Sequence, residues 1–341
     1  HFRQAETLLP RLRDKGQRAQ RELEVLVKLA APLMATAGYA APEVEVVFER
    51  AHTLSQQTSP RPYQAPLLRG LLSFHQVRGR NQVAKTIGEE LLACAVQSDP
   101  IAQVQAHYGH GVTLFDLCDL DGAQEHLTTA LGAYEPATYA THVSVYGGYD
   151  PGVACHCWLS WIDWNRGYFD RAVEVAGAGM ELAERLGHPF SLAFACSALG
   201  LVHLQRGEII EAAALLDRAT HISDADGFHY QGSVSRGLTG WVRLYQGRPA
   251  EAIALIEESI ATHERTGARG SIPAFLNLLA NARFIGGDVT AALATIDTAI
   301  TEAERMDQRL HLATLYRTRA RLVIAAGGDP ALSEALHRRA Y

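Results

Sequence analysis

Two hydrophobic patterns alternate along this chain. From Pro189 to Gln205 the residues are apolar almost without a break, "PFSLAFACSALGLVHLQ". Just beyond, apolar or small residues return only at helical spacing, as at Ala212, Leu216 and Ala219, and again at Ala252, Ile256 and Ser259. The first pattern predicts a helix buried on most sides, and the second a helix with one buried stripe. A helix buried all round needs neighbours on every side, so the pattern predicts stacked helix pairs.

The stacking has a period. Gly167, Gly207, Gly247, Gly287 and Gly327 are 40 residues apart, and the first four open the phrases "GYFDRA", "GEIIEA", "GRPAEA" and "GDVTAA". "GRNQVA" at Gly79 fits the same frame, "CDLDGA" fits with Cys118 in the glycine slot, and a looser copy begins at Gly38. Glycine between two helices supplies the left-handed conformation that ends the first of them. Seven positions before each slot lies a small residue (Gly200, Gly240, Ala280, Ala320), where two helices can cross closely. This is the grammar of tetratricopeptide (TPR) repeats, lengthened from 34 to about 40 residues. The expected fold is all-α, a right-handed superhelical solenoid of about eight helix pairs.

The expected units are a partial repeat at 1–19, repeats at 20–58, 60–98 and 100–134, an insertion at 135–149, repeats at 150–187, 188–227, 228–267 and 268–307, and a truncated last repeat at 308–341. The insertion reflects one break in the period: Cys118 and Gly167 are 49 residues apart. The excess falls in "EPATYATHVSVYGGYDPGV", expected to be a loop, with or without a strand-like piece around Val143–Tyr146. Such an insertion either serves binding or caps the neighbouring pair. "HFRQAETLL" reads as the second helix of a unit whose first helix lies upstream of His1.

Composition narrows the function. The 341 residues carry a formal net charge of −6, which argues against a nucleic-acid face. The apolar run at 189–205 falls short of a membrane span and is interrupted by serine, glycine and histidine. Five cysteines (Cys94, Cys118, Cys155, Cys157, Cys196) with no C-x-x-C suit reduced thiols in a cytoplasm. Neither a phosphate-binding glycine loop nor a dinucleotide fingerprint is present.

Several phrases together carry a resemblance: "ATAGYAAPEVEVVFERA" (35–51), "YGGYDPGVAC" (146–155), "GHPFSLAFA" (187–195) and "GYFDRAVE" (167–174). They resemble the C-terminal TPR-like region of bacterial signalling proteins in which a class III adenylate/guanylate cyclase domain and a STAND-type ATPase module precede the helical array. The resemblance implies a non-catalytic sensor that regulates an upstream ATPase or cyclase, with no catalytic residue and no cofactor in this chain.

The candidate chemistry is sparse. In "ACHCWLSWIDWNRG" (154–167), Cys155 and Cys157 stand about 200° apart on a helix and cannot converge on one zinc ion. His156 falls at a helix-packing position. His107 and His110 share a face but show no third ligand, and the cluster His221, Asp224, Asp226 and His229 reads as helix-junction polarity. No metal site is expected. The repeat register instead places one residue series on a concave groove: Tyr108 and Phe115, then Trp161 and Trp164, then Trp241 and Tyr245, Asn277 and Asn281, and finally Arg317 and Arg321. An aromatic middle with a polar C-terminal end suits a protein or peptide segment held by apolar anchors, including the protein's own ATPase or cyclase domains. The alternatives are a small-molecule effector and self-association. The tryptophans also fit a purely packing role.

Overall fold

The computed structural model describes residues 14–57, 63–95, 100–140, 146 and 148–340. Every regular element in them is helical, and helices pack in adjacent pairs. These are α1 (Lys15–Ala37) with α2 (Pro42–Gln57), α3 (Gln64–Val77) with α4 (Asn81–Ala95), and α5 (Pro100–Asp116) with α6 (Leu120–Gly132). A short α7 (Pro136–Ala140) separates them from α8 (Pro151–Asn165) with α9 (Phe169–Leu186), α10 (Pro189–Arg206) with α11 (Ile209–Asp226), and α12 (His229–Tyr245) with α13 (Pro249–Arg265). The last pairs are α14 (Ile272–Ile285) with α15 (Val289–Arg305), and α16 (Arg309–Ala325) with α17 (Pro330–Arg339). Helix α1 runs unbroken across the boundary expected at 19/20. Residues 1–13, the bulk of the expected partial repeat, lie outside the described residues.

The two hydrophobic patterns become two layers. First helices are buried around much of their circumference: α10 buries Phe190, Ala193, Phe194, Ala195 and Cys196 in succession. Second helices bury one stripe, as α11 does with Ala212, Leu216, Ala219 and Ser223. The short run of α8 that raised the zinc question is therefore helix interior, with Cys155 and Cys157 both fully buried.

The slot residues hold the pairs in register. Gly167, Gly207, Gly247, Gly287 and Gly327 all have φ between 70° and 92°, and Cys118, in the glycine slot, takes φ 67°. At each turn the amide one residue beyond the slot donates to a carbonyl five residues back, as Glu208 N to His203 O at 2.9 Å. This is the bond that closes a helix ending in a left-handed residue. A second left-handed series, Gly187, Gly227, Gly267 and Asp307, sits halfway between, closing the second helices. The small residues of the crossing slot do separate close helices: a Cβ on Gly240 would lie 2.7 Å from Ile256 Cγ1.

The superhelix closes on itself. Val77 O accepts from Arg269 N at 2.8 Å and from Gly270 N at 3.0 Å. Asn81 Nδ2 donates to Met306 O at 3.3 Å, and Gln82 Nε2 to Asp307 Oδ2 at 2.9 Å. Gly79 faces Met306 so closely that a side chain there would collide with its sulfur. The turn of the second pair is thus stitched to the junctions that flank the seventh pair, and α1 packs against α12.

The insertion is partly helical where a loop was expected. Tyr139 of α7 and Tyr146 are buried together with Ile101. Most of the strand-like piece, residues 143–145, lies outside the described residues.

Candidate functional site

The residues expected to line the groove fall along a gradient of exposure. Tyr108 and Phe115 are buried, Trp161, Trp164, Trp241, Asn277 and Asn281 are half-buried, and Tyr245, Arg317 and Arg321 are exposed. Phe115 meets Trp158 edge-on at 5.2 Å, Trp158 meets Trp161 at 4.6 Å, and Trp161 meets Phe194 at 6.0 Å. Trp164 instead leans on Phe169 at the turn into α9 (4.5 Å). Trp241 stands apart from the aromatic row, against Leu201 and Leu204 and 6.5 Å from Tyr245. At the polar end, Arg321 donates to Asn281 Oδ1 from the next unit and lies 5.6 Å from the Phe284 ring. Asn281 Nδ2 donates to Asn277 O at 2.7 Å, and Arg317 donates to Thr314 Oγ1.

The row continues through residues outside the repeat register. Phe194 stacks on Tyr149 at 4.2 Å, and Tyr149 stacks on Phe190 at 4.6 Å. Tyr39, from the turn after α1, meets Phe190 and Tyr230 at 6.3 Å each. Tyr149 belongs to the inserted segment. Its hydroxyl donates to Gln231 Oε1 at 2.9 Å, and the next residue, Asp150, caps α8 by accepting from Val153 N. So the insertion plants one ring inside the superhelix. Repeat spacing could not find Tyr39 or Tyr149, because both arrive from turns that only superhelix closure brings inward.

Four half-buried side chains have shifted titrations. Burial lifts the Asp116 carboxyl to about 7 and raises the Tyr149 and Tyr230 phenols; it lowers the His311 imidazole. The inner layer also leaves polar atoms without protein partners, among them Trp161 Nε1, Gln205 Oε1 and Asn277 Oδ1. Near the insertion, Arg69 is buried without an ion pair among the described residues. It donates to Gln105 and Ser73 and lies 4.7 Å from the Tyr108 ring. Two shallow hollows of about 460 and 310 Å³ lie elsewhere, on α17 and between α13 and α15.

The histidines of α5 acquire a third neighbour that sequence order hides. His126 of α6 has its Nδ1 3.0 Å from His107 Nδ1, and its ring 4.9 Å from that of His110. The three do not converge on one point, because His110 Nδ1 turns toward Gly88 instead. Among the described residues no group of three or more ligating side chains could hold a metal ion. Nor is any helix among them long and apolar enough to cross a membrane.

No protein-family model matches the chain, and no curated protein matches it. Solved structures do. A Rap protein in complex with competence and sporulation factor superposes with TM-score 0.61 at 12% identity, over 93% of this chain and 85% of that one. The Cut9–Hcn1 hetero-tetramer of the APC/C gives 0.60 at 12%, over 99% and 55%. NprR in complex with its cognate peptide NprX gives 0.59 at 10%, over 88% and 84%. The fold is a TPR-like helical solenoid. At these identities the likeness speaks for architecture alone.

Proposed function

We propose that this chain is a non-catalytic sensor module that takes a peptide or an extended protein segment into the interior of its superhelix. The observation that carries the reading is the inner face itself. A row of aromatic rings runs from Phe115 to Tyr230, beside inner-layer polar atoms left without partners. Rings supply apolar anchors, and orphaned amide and indole groups suit the donors and acceptors of a peptide backbone. Two structures that share the fold, Rap and NprR, are complexes with a competence and sporulation factor and with a cognate peptide. The sequence resemblance adds the output: occupancy regulates an ATPase or cyclase module of the same protein.

The test is affinity selection from a random octapeptide library, followed by calorimetry of the selected peptides. One peptide per chain is expected, with Trp161→Ala weakening it roughly 30-fold or more, the loss typical of a buried aromatic anchor. Trp161→Phe, which preserves the packing on Phe194, should weaken it less. Thermal stabilisation by sugars or nucleotides, with no peptide selected, would instead favour the small-molecule reading.

A further inference from the structure

We infer that Arg69 is the point at which the superhelix holds a carboxylate of its ligand, the side chain of an aspartate or glutamate or the free carboxyl end of a peptide. The inference rests on the peptide reading above and specifies its chemistry. Arg69 and Ser73 of α3 stand ten and six residues before the slot glycine Gly79, as Tyr108 and Val112 of α5 stand before Cys118. They hold, in the second pair, positions of the series expected to line the groove. The packing of neighbouring pairs follows that register, for the Arg69 guanidinium lies 4.7 Å from the centroid of the Tyr108 ring. Where α5 places a ring, α3 places a cation.

That cation has no counter-ion among the described residues. Arg69 is only 9% exposed. Its Nε donates to Gln105 Oε1 at 3.1 Å, and its Nη1 donates to Ser73 Oγ. Both acceptors are neutral. The acids of the surrounding elements are engaged or distant. Glu45 of α2 pairs with Arg78, and Asp150, before α8, accepts from the Tyr134 hydroxyl and from Val153 N. Asp116 lies about 12 Å along α5 from Tyr108. A guanidinium does not shed its charge on burial, as an imidazole does, and a buried charge held by neutral partners alone costs stability. A second group beside it is also short of an acceptor. Gln105 is 2% exposed, its Oε1 is taken by Arg69, and its Nε2 has no hydrogen-bond partner. Tyr139 of α7 lies near this amide but makes no bond with Nε2. A carboxylate has two oxygens and accepts from a guanidinium and an amide N–H at once. A ligand that brings one supplies what both side chains lack.

The experiment uses three pools of N-acetylated octapeptides, randomised over uncharged residues. The first ends in an amide and contains no acid. The second ends in an amide and carries one aspartate or glutamate; the third has no acidic side chain and ends in a free carboxylate. Each is incubated with the chain, with Arg69→Gln and with Gln105→Glu, and retained peptides are quantified by mass spectrometry. The chain is expected to retain the second pool, the third or both at least tenfold over the first, which tells side chain from carboxyl end, and Arg69→Gln to lose that preference. Gln105→Glu, which gives Arg69 a carboxylate of the chain's own, should lose it too and melt at a higher temperature than the wild type. This variant decides where Arg69→Gln does not fold. Equal retention of all three pools, a preference that survives in either folded variant, or a Gln105→Glu chain that gains no stability would overturn the inference while leaving the peptide reading intact. Retention of none would overturn the peptide reading and the inference with it.

Discussion

At the scale of single residues, one cause pushes acids and bases in opposite directions. Burial raises the Asp116 carboxyl to about 7 and lowers the His110 and His263 imidazoles to about 4. In an unfolded chain these groups titrate near about 4 and about 6.5. The folded form therefore keeps a proton on Asp116 that the unfolded form has lost, and this contribution is full below about pH 4 and disappears as pH rises through about 7. For the histidines the folded form binds fewer protons. Their contribution is full above about pH 6.5 and is lost as pH falls toward about 4. Melting temperature should fall on both sides of a maximum between those limits. Asp116→Asn should remove the alkaline limb and leave the acid limb unchanged, which a calorimetric series from pH 4 to 8.5 resolves. An unaltered alkaline limb in the variant would assign that loss to other groups.

At the scale of elements, the turns decide the register and were largely legible. The slot before each second helix is readable as a 40-residue series, and Cys118 belongs to it although it is not glycine: its φ of 67° follows the slot, not the residue type. Cys118→Gly should stabilise the chain by about 1 kcal/mol, and Gly207→Ala, with φ 80° and open space around its Cβ, should cost about as much. Gly240→Ala tests a different constraint. Its Cβ would sit 2.7 Å from Ile256 and 3.2 Å from Ala252 O, so overpacking of about 1–3 kcal/mol should outweigh the helix-propensity gain. Urea unfolding of the three variants separates strain from crowding. The second left-handed series at Gly187, Gly227 and Gly267 has the same period and was equally available to inspection. Asp307 completes it with no glycine to mark the place. The insertion was less legible. Its tyrosines and glycines signal a loop, and the short α7 forms because buried Tyr139 anchors it against Ile101, a contact distant in sequence.

At the scale of the whole molecule, closure of the superhelix turns a groove into an interior. That Phe115 and Trp161 belong to one aromatic row is compatible with the repeat register. Tyr39 and Tyr149 could not be placed by counting repeats, because their positions depend on the first pairs meeting the last ones, about 190 residues away in the case of Tyr39 and Tyr230. The seam is made of few bonds. Asn81 and Gln82 each contribute one side-chain hydrogen bond across it, to Met306 O and to Asp307 Oδ2, worth about 1 kcal/mol apiece. Neither touches the aromatic row. An Asn81→Ala/Gln82→Ala variant should therefore keep its helices while the seam opens more often. The Arg269 and Gly270 amides, which donate to Val77 O, should then exchange with deuterium faster than the amides within α10. A ligand held inside must enter and leave through such an opening, so the same variant should bind and release a selected peptide faster. If exchange at Arg269 and Gly270 is unchanged while the melting temperature falls, these two bonds support local turns and closure is carried by the packing of α1 on α12. If exchange accelerates and peptide kinetics do not, the ligand enters by a route other than the seam.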